Sequence, residues 1–217
     1  MRYSYSYIGN FVELLTNNEQ RIKNLMIEYE IQSKTDKLPD GREVKSLMFT
    51  KQNINIRFMP MRVDYNFALV NPNSKSEEVF NEAKAFFKLL GEIFPEAVGQ
   101  RIAIVAQCFI RNEDGIAVTS FADKMGLSEN FGDCNELAFK INTPKTYFER
   151  LNSVVNVDMG EAKNNKTQEK MPVLLVSLDV NTMANNQTPR FYPKDFERDF
   201  SDLFVEVESR FQILEKY

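Results

Sequence analysis

Apolar and polar residues alternate with a period of two along much of this chain, and no other feature constrains its fold more. Tyr3, Tyr5 and Tyr7 alternate with Arg2, Ser4 and Ser6. Ile54, Ile56 and Phe58 alternate with Asn55 and Arg57, and beyond Pro60 the apolar row passes to Met61, Val63, Tyr65, Phe67 and Leu69. Leu137, Phe139 and Ile141 alternate with Ala138, Lys140 and Asn142. Successive side chains of a strand point to opposite faces, so each run reads as a strand with one dry and one wet face. The change of phase at Pro60 cannot occur inside a regular strand and predicts a bulge or break there.

Two further stretches are strongly apolar. Residues 101–110 read as a central strand covered on both faces, and residues 171–180 as a second strongly apolar strand. Residues 147–159 read as a strand broken near Asn152. The polar stretch 160–170, with Asn164-Asn165 at its tip, makes a hairpin the simplest link to the strand at 171. Near the N-terminus, Gly9-Asn10 reads as a turn or bulge, with 11–15 continuing the extended chain.

A different period marks the helices. Val79, Phe80, Ala83, Phe87, Leu90 and Phe94 recur at helical spacing behind a Ser74/Glu77 capping-box pair, and Gly91 and Pro95 read as the end of that helix. Pro193 suits a first helical turn, and Phe196, Phe200, Leu203, Phe204, Val207, Phe211 and Leu214 follow as one long stripe. Ile22, Leu25, Met26 and Tyr29 suggest a third helix starting near Asn17, and 121–127 a short fourth one. Residues 33–43, with Leu38-Pro39-Asp40-Gly41, read as a polar connection. The order of strands, helix, strands, helix shows no regular βαβ alternation and no internal repeat. It predicts an α+β fold in one domain over 1–217, an antiparallel β-sheet with helices packed on one face. With 217 residues, a chain buries roughly 70% of its unfolded surface, enough for a core without staples.

The chain has no histidine. That removes Ser-His-Asp and Cys-His catalysis, imidazole metal ligation and histidine acid–base work together. No P-loop, G-x-G-x-x-G, C-x-x-C or H-E-x-x-H motif occurs. No cofactor is called for. The net charge of −4 argues against general nucleic-acid binding, which needs a surplus of Lys and Arg on one face. Cys108 lies in an apolar run and Cys134 in a polar turn, too few for a disulfide framework. The N-terminal residues lack an apolar signal core and no stretch approaches the roughly 20 residues of a membrane span, so the expected location is cytoplasmic with no membrane contact.

Carboxylates supply the remaining chemistry. Asp64, Asp158 and Asp179 each lie in or beside a predicted strand, and on one side of a sheet they would make a divalent-metal site for a hydrolase or nuclease. Asp40 with Glu43 and Lys45, and Asp158 with Glu161 and Lys163, mimic nuclease clusters but read as solvated turns. The pairs Glu13/Glu19 and Glu28/Glu30 read as surface charge. A binding role competes with these. Phe200, Leu203, Phe204, Val207 and Phe211 on the last helix form a stripe wide enough for one edge to face a protein partner, although such a stripe is more often core. The 18 Phe and nine Met fit an adaptable apolar groove.

The order of elements resembles the SecB-like superfamily, which includes export chaperones, their toxin–antitoxin relatives and a sporadic prokaryotic family of unknown function. Three stretches carry the resemblance: strands 53–69 with Arg62-Val63-Asp64, the strand Gly99-Gln100-Arg101-Ile102-Ala103, and the pairing of 174–179 with a long amphipathic C-terminal helix. The resemblance implies an antiparallel sheet backed by helices, with apolar grooves that bind unfolded or partly folded protein, and no catalytic residues. The function expected is a non-enzymatic protein-binding module, chaperone-like or an accessory factor of a prokaryotic system. The alternatives are the metal-dependent hydrolase and a structural subunit of an oligomer that self-associates.

Overall fold

A computed structural model describes residues 1–37, 40–41, 43–69, 75–132, 134, 136–163 and 168–214. The chain runs β1 (Arg2–Ile8), α1 (Val12–Leu25), β2 (Glu30–Lys37), β3 (Glu43–Lys51), β4 (Ile54–Met59), β5 (Arg62–Ala68) and α2 (Ser76–Ile93). It continues with β6 (Arg101–Arg111), α3 (Ile116–Lys124), α4 (Leu127–Phe131), β7 (Phe139–Thr146), β8 (Arg150–Lys163), β9 (Lys170–Thr182) and α5 (Phe196–Leu214). All nine strands join one antiparallel sheet in the order β2-β3-β4-β5-β1-β6-β9-β8-β7. The fold is α+β, as the mixed periods predict.

One face of the sheet is dry because the period-two rows align in register. Tyr5 stands opposite Tyr65 on β5 and Ile104 on β6, and Ile104 opposite Val180 on β9. Tyr3, Tyr5 and Tyr7 are buried under α2 and α5, where Tyr7 lies 4.9 Å from the Phe87 ring and 5.2 Å from Phe200. Phe196 stacks on Phe200 at 4.5 Å and on Phe87 at 5.4 Å, so the two long helices share one aromatic seam over the centre of the sheet. Offset aromatic pairs of this kind add roughly 0.5–1.5 kcal/mol each beyond area burial.

The two sides of the sheet repeat one path. From β1 the chain makes a helix, then a meander whose last strand, β5, returns beside β1, then the long α2. From β6 it again makes helices, a meander whose last strand, β9, returns beside β6, and the long α5. Because β1 and β6 are antiparallel neighbours, an approximate twofold axis normal to the sheet relates the halves. One hydrophobic cluster runs through both.

Several local expectations need correction. The phase change at Pro60 is a tight hairpin: Met59 pairs with Arg62, leaving Pro60-Met61 as the turn and Met61 exposed. The carbonyls of that turn accept the Phe11 N–H at 2.8 Å and the Gly9 N–H at 3.1 Å, which starts α1 at Val12 where an extended chain was expected. Asn18, beside the expected helix start, is a kink inside α1 with φ −125° and ψ 15°. Residues 30–37, which overlap the polar connection predicted over 33–43, form the edge strand β2, whose side chains are nearly all exposed and so carry no apolar period. β8 passes Asn152 unbroken and runs on to Lys163. β6 is covered on both faces only over its first half, and Phe109 and Ile110 are exposed.

Gly91 does not end α2 but lies buried within it, where a Cβ would stand 2.3 Å from the Lys194 backbone nitrogen. The short helix expected over 121–127 is two helices, α3 and α4, joined at Gly126 in the left-handed conformation. Ser74, the Asn164-Asn165 tip and 215–217 lie outside the described residues, and Lys75 stands at the start of α2 without a side-chain cap.

Candidate functional site

The residues singled out on α5 are mostly core. Phe200, Leu203 and Val207 are fully buried against the sheet, and Phe204 and Phe211 pack on the same cluster. Phe204 lies 4.6 Å from the Phe80 ring of α2. This stripe is the inner face of the helix, and the apolar side chains α5 exposes are Val205 and Ile213.

The three aspartates share the face of the sheet away from the helices but do not converge. Asp64 on β5 and Asp179 on β9 are three strand positions apart, roughly 14 Å at the usual spacing. Asp158 stands opposite Leu175, four residues along β9 from Asp179, roughly another 13 Å. Each has its own partner: Arg62 donates to Asp64, the Asn181 amide to Asp179 at 2.8 Å, and the Met159 N–H to Asp158 at 2.8 Å. Among the described residues no group of three His, Cys, Asp or Glu could hold a metal ion. Of the compact clusters, Glu161 pairs with Lys170 at 2.6 Å and Lys45 with Glu19 at 3.2 Å, as solvated surface charge does.

The structure instead builds an apolar groove of about 340 Å³ where α1 ends beside α2, over β4 and β5. Ile22 and Met26 bury the inner side of α1, and the chain turns at Met26 and leaves for β2. That exit holds Leu25, Met26 and Tyr29 along one wall. Ala85, Phe86 and Leu89 of α2 form the other, and Ile54 and Tyr65 the floor. Phe86 lies 5.3 Å from the Tyr65 ring and 5.0 Å from Phe87, so the floor is tied to the core. Leu89 is 43% exposed at the mouth, and Ile27, in the turn after α1, is 81% exposed.

One polar pair marks the groove. The Tyr65 hydroxyl donates to Glu82 Oε2 at 3.2 Å. Burial raises the Tyr65 pKa well above its ordinary value, and the neighbouring Glu82 charge raises it further, so the hydroxyl stays a donor. Lys51 lies 5.6 Å from the Tyr29 ring and 2.5 Å from Glu28, holding the outer rim by charge. The polar side-chain groups of the lining are the Tyr29 and Tyr65 hydroxyls and the Glu82 carboxylate.

The sequence does carry a signal for this site. Phe86, Leu89 and Ile93 form a second apolar row at helical spacing, beside the buried stripe of α2. The cysteines add no chemistry here. Both are free and half-buried, and burial raises the Cys108 thiol above its ordinary range. Among the described residues no helix is long and apolar enough to cross a membrane. No protein-family model, curated protein or solved structure matches the chain.

Proposed function

We propose that this chain is a non-enzymatic protein-binding module, chaperone-like or an accessory factor of a prokaryotic system acting in the cytoplasm, and that the groove between α1 and α2 receives an apolar segment of its partner. The single observation behind this reading is the apolar lining itself: Leu25, Met26, Tyr29, Phe86 and Leu89 flank a groove whose one charged wall group is Glu82. Its volume falls at the lower end of the range for ligand pockets, room for a few side chains and not for a folded element. Methionine and leucine repack around varied ligands, which suits a site that accepts more than one sequence. The resemblance to the SecB-like superfamily points the same way.

The test is the mass of the purified protein, by light scattering after size exclusion, with and without a reduced, unfolded client protein. Co-elution with the client is expected, and Leu89→Glu, which puts a charge at the exposed mouth, should abolish it while leaving the fold intact. A wild-type protein that ignores the client, or a Leu89→Glu variant that binds as well as wild type, overturns the groove reading. A stable oligomer that excludes the client would favour the structural-subunit reading.

A further inference from the structure

The face of the sheet opposite the helices holds a second cavity, of about 400 Å³. Its floor is one register row, Asn55 on β4, Asn66 on β5, Ser4 on β1 and Val105 on β6. Arg57, two residues along β4, and Arg2, two residues along β1, line it from opposite sides of that row.

The two arginines are what set this cavity apart. Neither forms an ion pair among the described residues: Arg57 Nε donates to Asn55 Oδ1 at 2.8 Å, and the Arg2 guanidinium stacks 5.6 Å from the Phe109 ring. The carboxylate opposite Arg57 in register is Asp64, which is buried and already taken by Arg62, whose Nη2 also donates to Ser6 at 2.8 Å. Asp179, opposite Val105 at the far rim, is held by the Asn181 amide. Two guanidinium groups that form no ion pair among the described residues thus line one hollow, with Asn53, Asn66 and Gln107 adding amide groups to the lining. Guanidinium groups match the planar, two-oxygen edge of carboxylate and phosphate and bind it through paired N–H donors.

From this geometry we infer that the cavity is an oxyanion-binding site, in which Arg2 and Arg57, at opposite ends of the hollow, bind the carboxylate or phosphate oxygens of a small ligand. The site lies on the face opposite the α1–α2 groove and stands or falls separately from it.

The experiment titrates the ¹⁵N-labelled full chain with inorganic phosphate and, separately, with citrate, at an ionic strength held constant with sodium chloride. Saturable amide shifts confined to β1, β4, β5 and the start-to-middle of β6 are expected. The anion that binds more tightly names the source, phosphate or carboxylate. Arg2→Gln and Arg57→Gln should each weaken binding about tenfold. Both side chains reach an open face, so folding is checked by the unchanged dispersion of the remaining spectrum. Absence of saturable shifts with either anion, or shifts that persist in the Arg2→Gln/Arg57→Gln double variant, overturns the site.

Discussion

The two halves of the sheet follow one path and close over it in opposite ways. In the second half, the flank of α5 is locked to the β7–β8 turn by a polar cluster. Tyr147 donates to Glu206 at 2.9 Å, Arg210 donates to Glu206 at 2.7 Å and to Ser153 at 3.2 Å, and the Phe148 N–H reaches Asp202 at 3.2 Å. In the first half, the corresponding flank of α2 faces no such cluster among the described residues. It holds one hydroxyl–carboxylate contact, Tyr65 to Glu82, and otherwise the open apolar groove. The same backbone plan gives a sealed wall where charged side chains cross it and an open one where apolar side chains line it. The difference is written in side chains and not in topology.

The largest test of this contrast is Arg210→Ala. Glu206 is buried, and although burial pulls its pKa up, hydrogen bonds from Ser153, Arg210 and Tyr147 outweigh that and hold it below the ordinary range. Removing Arg210 leaves a buried charge without its counter-ion, at a cost of about 3–5 kcal/mol in chemical denaturation. Glu206→Gln/Arg210→Met should cost much less, since the charge leaves with its partner. Equal losses in the two variants would break the view of the cluster as a mutually neutralised lock.

Next in size is a pH effect confined to the second half. Asp199, fully buried at the start of α5, has its pKa raised from 3.8 to about 6 by burial, against the pull of Arg198 and with the Asp195 and Glu149 charges adding to it. Arg198 donates to one oxygen at 2.6 Å, and the other has no hydrogen-bond partner among the described residues. The folded state therefore holds a proton that the unfolded chain has released. This stabilisation is full below about pH 4 and is lost as pH rises through about 6, in total about 3 kcal/mol. The difference in stability between wild type and Asp199→Asn should shift by about 2 kcal/mol between pH 4 and 6.5, and a constant difference would remove Asp199 from the account. The first turn of α2 carries the exposed Glu77 and Glu78 instead.

Gly91 probes the joint between the halves. A methyl group there meets the backbone of Lys194, at 2.3 Å from N and 2.9 Å from Cα, and backbone cannot swing aside as a side chain can. Gly91→Ala should cost about 2 kcal/mol, beyond the helix propensity it gains. An unchanged midpoint would mean that α2 and the Pro193–Asp195 turn slide freely. The smallest effect is expected at Tyr65→Phe, about 1 kcal/mol or less, because Glu82 is exposed and water replaces the lost donor. A loss as large as that of Arg210→Ala would erase the contrast between the halves.

How much of this was readable follows from where burial lies. Strands β1, β4 and β5 and the helices α2 and α5 each set an apolar row against the core, so period located them, while β9 showed as a strongly apolar run. β2 was hidden because an edge strand outside the helical cover buries nothing and so shows no period. The start of α1 was hidden because its anchor, the Pro60-Met61 turn, is some fifty residues away. The duplicated path left no trace as a repeat: Tyr3, Tyr5 and Tyr7 fill in β1 the places that Ile102, Ile104 and Ala106 fill in β6. At the site, the strongest stripe was misleading for a physical reason, since Phe200, Leu203 and Val207 are apolar because they are core. Beyond the Phe86/Leu89/Ile93 row, the groove is not legible in the sequence because it draws on four segments, 25–29, 54, 65 and 82–89, of which only folding makes neighbours. The placing of Asp64, Asp158 and Asp179 in or beside strands was readable, but their shared face and their separation across β1 and β6 were not.

The central pair β1 and β6 carries a kinetic consequence. Its register joins Arg2 to Gln107 and Ile8 to Arg101, so the middle of the sheet can zip only after about a hundred residues of intervening chain are in place. On a ribosome, residues 2–8 can pair with β5 on one side while the other side stays bare until 101–111 emerge. For that interval the nascent chain offers an unpaired tyrosine-bearing edge, the kind of surface through which unfinished proteins aggregate. The strand that ends up most enclosed is thus the one that waits longest for its second neighbour.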